Sequence, residues 1–509
     1  MLNRTIVGID LGTTYSSIAY INQHGKPEII TNREGERIMP SVVLFDGDSP
    51  IVGTIAKNSG SASPLNICQF VKRHMGEKDW KFTDDNDKEY TPEEVSALIL
   101  KRLKDDAQTS LGFEINDAVI TVPAYFNDAQ RKSTQDAGKI AGLNVLRIIN
   151  EPTAAALAYG IDQSIEQTIL VYDLGGGTFD VTIMRITGEE IEVIATGGDK
   201  NLGGYDWDNR IMVYLNEQFQ NEGGSDLFED LSLQHDLRDK AEIAKKTLSS
   251  RDSAKVFLSA AGKNVSVNIT REQFEEVTRD LLNRTESLME ITLEDANLTW
   301  TDIDKVLLVG GSTRMKCVPL LLERVSGKKP SSELHPDEIV SIGAALLGGI
   351  IQKKENKGDI THLDGLPSMK ITDVNSHSLG IVAVDMQTGK LFNSIVMPKD
   401  TTIPSKASSL FSTVQDNQSV IEVEVTEGEE MDLDFVHKIG SGTITIPPYP
   451  KGSPVEVIFQ YDNDGMIHVF VIDKITNKQI GELHIQRQAN LTNSQLENMK
   501  KNIASIEVQ

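Results

Sequence analysis

The stretch VYDLGGGTFDVTI, residues 171–183, sets three consecutive glycines between two aspartates, inside residues that otherwise read as β-strand. A turn of this kind reverses two strands tightly. Glycine tolerates positive φ there and lacks the Cβ that would hold a ligand away from the backbone. N–H groups pointing outward from such a turn form a concavity suited to phosphate. The aspartate at the strand end supplies a hard oxygen for Mg²⁺, usually through water. One such hairpin is equally well read as an ordinary turn. The N-terminus, however, repeats the layout. In TIVGIDLGTTYSSIAYI (5–21), Asp10 corresponds to Asp173, Gly12 to Gly175, and Thr14 or Thr13 to Thr178. Two copies about one domain apart predict a duplicated core, with two turns and two acids facing each other around a nucleotide polyphosphate and its metal.

Working outward, strand-like and helical runs alternate from the N-terminus to about Gly349. IVGID (6–10), AVITV (118–122), TILVYD (168–173) and KVLLVG (305–310) are apolar on both faces, as strands of a sheet covered by helices are. TPEEVSALILKRLKDDAQTSLG (91–112) predicts a helix: Thr91 and Glu94 form a capping box, Pro92 opens the first turn, Val95, Leu98, Ile99 and Leu103 share a stripe, and Gly112 ends it. A third glycine turn, LLVGGSTRM (307–315), follows a strand and opens a helical run. This part reads as α/β. QKKENKGDITHLDGLPSMK (352–370) is polar, with Gly and Pro, and reads as a linker between cores. From about Ile371 to Gln488 strands alternate: Ile421, Val423 and Val425 face one way, Glu422 and Glu424 the other, and YDNDGM (461–466) reads as a hairpin turn. That pattern predicts an antiparallel β-sandwich. The tail LTNSQLENMKKNIASIEVQ predicts a capped helix from about Thr492, of at most four turns.

Composition narrows the function. At 509 residues, several cores are expected, and no apolar stretch approaches the roughly 18 residues of a membrane span. The N-terminus carries no secretory pattern, so a cytoplasmic location is expected. Cys68 and Cys317 stand far apart, which excludes a disulfide framework or a zinc cluster within the chain. A net charge of -25 argues against nucleic acid as a general partner. No Walker loop, strand-borne GxGxxG, HExxH or GxSxG is present.

IDLGTTYS (9–16), VPAYFNDAQRKST (122–134), INEPTAAALAYG (149–160), YDLGGGTFDVTI (172–183), LGGYDWDNR (202–210) and LLVGGSTRM (307–315) together resemble the DnaK-type heat shock protein 70 chaperone family. The resemblance runs from Ile6 to about Met499, and details such as KRHMGEKDW (72–80) are most similar to the specialised HscC branch. It implies a two-lobed, actin-like ATPase domain of duplicated ribonuclease-H-like cores over residues 1–351, a linker at 352–372, an antiparallel β-sandwich peptide-binding domain at 373–490, and a short helical tail at 491–509 in place of the family's helical lid. It further implies ATP or ADP with Mg²⁺ in the cleft. The phosphates would lie between Gly12, Thr13, Thr14, Tyr15 and Gly175, Gly176, Gly177, Thr178. Asp10 and Asp173 would stand around the metal through water, Lys72 near the γ-phosphate, and Glu151 and Asp180 at the metal and water site. Glu242, Lys245, Lys246, Ser249, Gly310, Gly311, Ser312, Arg314 and Asp337 match the nucleoside contacts. Val384, Val414, Ile421 and Val423 match positions that grip an extended apolar peptide. Arg147 matches a docking position of J-domain partners. From the residues alone, Lys72 could be an exposed charge beside Arg73. Glu151 and Asp180 could be caps, the 242–249 set an ordinary solvated helix face, and Val423 plain core.

Three departures bear on mechanism. In SMKITD (368–373), Lys370 and Thr372 replace the family's linker leucines, which puts coupling between domains in doubt. The missing lid predicts brief peptide residence. The segment between Ser250 and Thr270 is short, so a standard nucleotide exchange factor is not expected to fit. The leading expectation is an ATP-dependent chaperone for unfolded polypeptide, an ATPase with a J-domain partner and without nucleic-acid or membrane partners. The alternatives are a nucleotide-binding regulatory or co-chaperone subunit that does not cycle, and a sugar-kinase-type phosphotransferase.

Overall fold

Two sheets share one strand plan. In the computed structural model, which describes residues 5–47, 49–159, 166–188, 190–331, 335–355, 361–366, 368–462, 467–484 and 491–509, Ile6–Asp10 pairs antiparallel with Tyr15–Ile21 and parallel with Asp117–Val122. In the second sheet Gln167–Leu174 pairs antiparallel with Phe179–Thr187 and parallel with Lys305–Val309. The two glycine turns therefore occupy equivalent places, each linking a strand that has a parallel partner on one side to its antiparallel neighbour on the other. Ile6–Asp10 and Asp117–Val122 are buried along almost their whole length, which is why they read as unbroken apolar runs.

A long helix, Ile339–Glu355, and a short one, Glu151–Ala158, join the sheets. Glycine and alanine let them cross at backbone distance. A Cβ on Gly343 would lie 1.8 Å from the Ala154 carbonyl oxygen, and one on Gly8 would lie 2.0 Å from the Ala345 nitrogen. The alanines of the INEPTAAALAYG motif thus form one surface of a helix crossing; its last residue, Gly160, lies outside the described residues. Ile6 and Val119 of the first sheet and Ile169, Val171 and Leu307 of the second pack into the same core around this crossing. The predicted helix appears as Pro92–Leu111, with the Thr91/Glu94 capping box and Gly112 in the left-handed region. Val95, Leu98, Ile99 and Leu103 are buried on it, as its spacing predicts.

Between Ser250 and Thr270, Ser253–Ala260 and Lys263–Thr270 form a hairpin closed by Ala261 and Gly262, both at positive φ. The C-terminal strands form two four-stranded antiparallel sheets. One runs Leu391–Met397, Leu379–Val384, Gln418–Glu427, His437–Tyr449; the other runs Ser405–Ser412, Pro454–Tyr461, Ile467–Asp473, Lys478–His484. Both contribute to a single core that includes Ile381, Val425, Phe459 and Val469. The strands flanking the expected 461–466 turn pair Tyr461 with Ile467; residues 463–466 lie outside those described.

The segment expected to be a spacer is only partly one. The helix Ile339–Glu355 runs into it, with Gln352 buried, while 356–360 and 367 lie outside the described residues. Lys370–Val374 is a strand that extends the second sheet, Lys370–Thr372 pairing parallel with Glu190–Glu192. Alternation explains how polar residues fit there. Met369 and Ile371 pack on the core, whereas Lys370 points to solvent and its Nζ meets Glu190 Oε1 at 2.6 Å. The tail helix Asn493–Ser505, capped by Thr492 and Gln495, joins the first lobe rather than the sandwich: Ile503 and Val508 are buried in that lobe's core, and the Val52 N–H donates to the Gln509 carbonyl at 2.8 Å.

Candidate functional site

The two glycine turns face each other. A Cβ on Gly176 would lie 2.2–2.8 Å from the Thr14 side chain, and one on Gly177 would lie 2.5–2.8 Å from that of Thr13. Gly12, Gly175, Gly176 and Gly177 all have negative or extended φ, so the expectation that these glycines serve positive φ is corrected. What they provide is room for the opposite turn to approach. Gly310 is different: its φ is 82°, and a Cβ there would strike the Leu174 carbonyl and Asp173 Oδ1.

Between the turns lies a cavity of about 460 Å³. Nearly every residue assigned to nucleotide from the sequence lines it, from Asp10 and Gly12–Tyr15 through Lys72, Glu151, Asp173 and Thr178 to Glu242, Lys245, Lys246, Ser249, Gly310–Ser312, Arg314 and Asp337. Gly177 and Asp180 are not on its wall. Near the two glycine turns Lys72 is 3% exposed and its Nζ donates to Glu151 Oε1 at 2.6 Å, so it is not a surface charge. Burial alone would drive the Lys72 ammonium down, but Glu151, Asp10 and Asp173 outweigh it and raise its pKa. The acids have the opposite problem. Burial, then Glu151, push Asp10 up to about 7 even though Lys72 and the Thr121 hydroxyl, donating at 3.0 Å, oppose this. Burial and Glu151 also push Asp180 up to about 7, and they raise Asp173 well above the carboxylate range.

Asp10, Glu151, Asp173 and Asp180 therefore crowd one ammonium, and Asp180 Oδ2 is buried without a hydrogen-bond partner. Among the described residues no three acids, histidines or cysteines stand close enough to ligate a metal directly. An excess of carboxylate around a polar cavity, without a direct ligand set, fits a cation that keeps its water and is shared with phosphate. This is the fit expected of Mg²⁺.

Elsewhere on the cavity wall Arg314 pairs with Asp337 at 2.7 Å, and Lys245 pairs with Asp208 at 2.7 Å while donating to the Gly204 carbonyl at 2.8 Å. The lips of the cleft are tied by charge. Lys57, from the first lobe, meets Glu242 at 2.5 Å, and Lys57 and Lys246 each donate to the Tyr15 hydroxyl at 3.0 Å. Burial acts to raise Glu242, but Lys57 and Lys246 hold it down to about 2. The 242–249 helix face is therefore cavity wall, not ordinary solvated surface. Sequence reasoning missed Lys57, Phe70, Asp208, Arg238 and Asp239 on that wall. Arg238 stands four residues before Glu242 and so shares its helix face, a signal that was available. Lys57 and Phe70 had none.

The family profile described as Hsp70 protein matches residues 6–509. The chain belongs to the Hsp70 family. Among its relatives are proteins named chaperone protein DnaK from two strains of Halobacterium salinarum, each 43% identical over 98% of this chain and 78% of the relative.

Family membership directs attention to the sandwich and its junction with the ATPase lobes. Val384 and Val414 are exposed, Ile421 is half-buried against the sandwich core, and Val423 is 1% exposed within that core. Burial puts Val423 out of reach of a peptide, in line with its plain-core reading. At the junction, Asn150 Nδ2 donates to Asp373 Oδ2 at 2.7 Å, and Arg147, half-buried on the strand Asn144–Asn150, adds favourable charge toward Asp373. The Thr196 N–H donates to Asp400 Oδ1 at 3.0 Å and Lys399 meets Asp295 at 2.7 Å. The His377 ring packs edge-on to Tyr125 with centroids 4.4 Å apart, its Nε2 lying 3.3 Å from the Tyr125 carbonyl. Tyr125 in turn donates its N–H to Asp180 Oδ1 at 2.8 Å. Among the described residues no helix is long and apolar enough to cross a membrane.

Proposed function

We propose that this Hsp70 protein couples hydrolysis of ATP in the cleft to capture and release of extended apolar polypeptide by the sandwich. As a member of its family it is an ATP-dependent chaperone and an ATPase. In the proposed mechanism the two duplicated lobes, read as ribonuclease-H-like, close on the nucleotide, and Gly12–Thr14 and Gly175–Thr178 present backbone amides to the phosphates. Asp10 and Asp173 would hold Mg²⁺, which when bound would supply charge neutralisation at the phosphates. Glu151 and Asp180 orient the attacking water. As the water oxygen bonds to the γ-phosphorus, the bond to the bridging oxygen breaks and its electron pair leaves with ADP, and Lys72 would offset the negative charge carried by the γ-phosphoryl oxygens. Glu242, Lys245, Lys246, Ser249 and the Gly310–Arg314 turn hold the nucleoside.

The carrying observation is that Tyr125 touches both Asp180 and His377, so a residue of the hydrolytic end and a residue of the sandwich share one neighbour. The docked strand Lys370–Val374 argues against a subunit that binds nucleotide without cycling, because the polar linker still joins the ATPase sheet. Clients would be unfolded or extended polypeptides gripped near Val384, Val414 and Ile421. A J-domain partner would dock near Arg147, beside the linker strand. The compact Ser253–Thr270 hairpin gives a standard exchange factor little to hold, and we place the protein in the cytoplasm. Peptide affinity measured with ATP and with ADP tests the coupling: affinity is expected to be weaker with ATP, and equal affinities would refute it.

A further inference from the structure

Tyr205 stands where the two lobes meet, yet it is not on the cavity wall. Its ring is flanked by two guanidinium groups, Arg73 with Cζ 4.7 Å and Arg238 with Cζ 4.6 Å from the ring centroid, and the Phe70 ring meets it edge-on at 4.6 Å. Arg238 also lies over Phe70 at 5.5 Å, and Arg73 pairs with Asp206 at 3.3 Å. Phe70 and Arg73 belong to the first lobe, in and just before the single turn Val71–His74 that carries Lys72. Tyr205 and Arg238 belong to the second. The Tyr205 N–H donates to the Gly176 carbonyl at 2.8 Å, so its backbone is fastened to the phosphate turn itself. Phe70 sits in the left-handed region at φ 60°, ψ 22°, a conformation a bulky residue keeps only where its surroundings enforce it.

We infer that Tyr205 is a positioning residue for ATP hydrolysis: its ring, gripped by Arg73, Arg238 and Phe70, fixes the Lys72 turn of one lobe against the Gly176 turn of the other. The aromatic face attracts both cations, and partial burial of the cluster strengthens that attraction over its value in water. Tyr205 is itself off the cavity wall, although its neighbours Phe70 and Arg238 are on it; its loss therefore acts mainly by misplacing Lys72, and hydrolysis is far more sensitive to placement than binding is.

The inference rests on the reading of Lys72 as the cation at the γ-phosphate, and the experiment separates the two. Single-turnover hydrolysis of γ-labelled ATP is followed in the full chain for wild type, Tyr205→Leu, Tyr205→Phe, Lys72→Ala and the Lys72→Ala/Tyr205→Leu pair, long enough to register residual rates. Tyr205→Leu is expected to slow hydrolysis about tenfold with Mg-ADP affinity changed less than about threefold, and Tyr205→Phe, which keeps the ring, to match wild type. In the Lys72→Ala background Tyr205→Leu is expected to add less than about twofold, since both act on one event. Full additivity of the two substitutions, or equal losses of rate and ADP affinity in Tyr205→Leu, would overturn the clamp while leaving Lys72 in its role. An unchanged rate in Lys72→Ala would instead overturn the Lys72 reading, and the clamp with it.

Discussion

At Gly176 the missing atom matters more than the freed backbone. Its Cβ would occupy the space of Thr14 Oγ1, so even alanine must push the two glycine turns apart. Gly176→Val is expected to lower nucleotide affinity by at least about a hundredfold with the sandwich still folded, as read by calorimetric titration with Mg-ADP and by circular dichroism of the variant. A normal Kd would refute the cradle. Glu242 gives a second residue-scale expectation. Its carboxyl sits at about 2 in the fold, below its ordinary value, so its contribution to stability is present above about 4.5 and is lost as pH falls from there toward 2. Thermal unfolding of wild type and Glu242→Gln across that range should therefore converge in acid, and a gap constant with pH would contradict the Lys57–Glu242–Lys246 assignment. The glycines and acids were legible because only small and charged residues suit such turns. The burial of Lys72 was not, since a lysine next to an arginine looks solvated until Glu151, 79 residues away in sequence, is folded against it.

At the scale of the element, the strand Lys370–Val374 shows how a polar linker can still dock. Side chains along the strand alternate between core and solvent, so only Met369 and Ile371 need be apolar, and Lys370 and Thr372 can face Glu190 and water. Lys370→Leu should consequently leave docking intact, because an exposed, solvent-screened ion pair contributes little. Ile371→Asp places a charge in the core and should undock the strand, seen as faster proteolysis near residue 370 and loss of the ATP effect on peptide affinity. If Lys370→Leu undocks the strand as fully as Ile371→Asp, the alternation account is wrong. Period-two alternation was written in SMKITD, but its partner strand, Glu190–Asp199, was not, because pairing between distant strands has no local signature.

Across the whole molecule, the ATPase lobes and the sandwich meet through small polar contacts: His377 on Tyr125, Asp373 on Asn150, Asp400 on Thr196. His377→Ala removes the edge-on ring contact, worth about 1 kcal/mol, together with the Nε2 contact to the Tyr125 carbonyl, and is expected to shrink the ratio of ADP-state to ATP-state peptide affinity roughly three- to tenfold while single-turnover hydrolysis without peptide stays near wild type. An unchanged ratio would remove Tyr125 from the coupling route. By itself the sequence determined the duplicated strand plan, the paired glycine turns, the capped helix and the alternating sandwich, because each depends on spacing within a few residues. Only the tertiary structure decided that Val423 is core, that the tail packs on the first lobe, that Glu242 bridges the cleft to Lys57, and that Tyr205 stands between two arginines. Those outcomes depend on which surfaces meet after the chain has folded back over hundreds of residues, and local periodicity carries no record of that meeting.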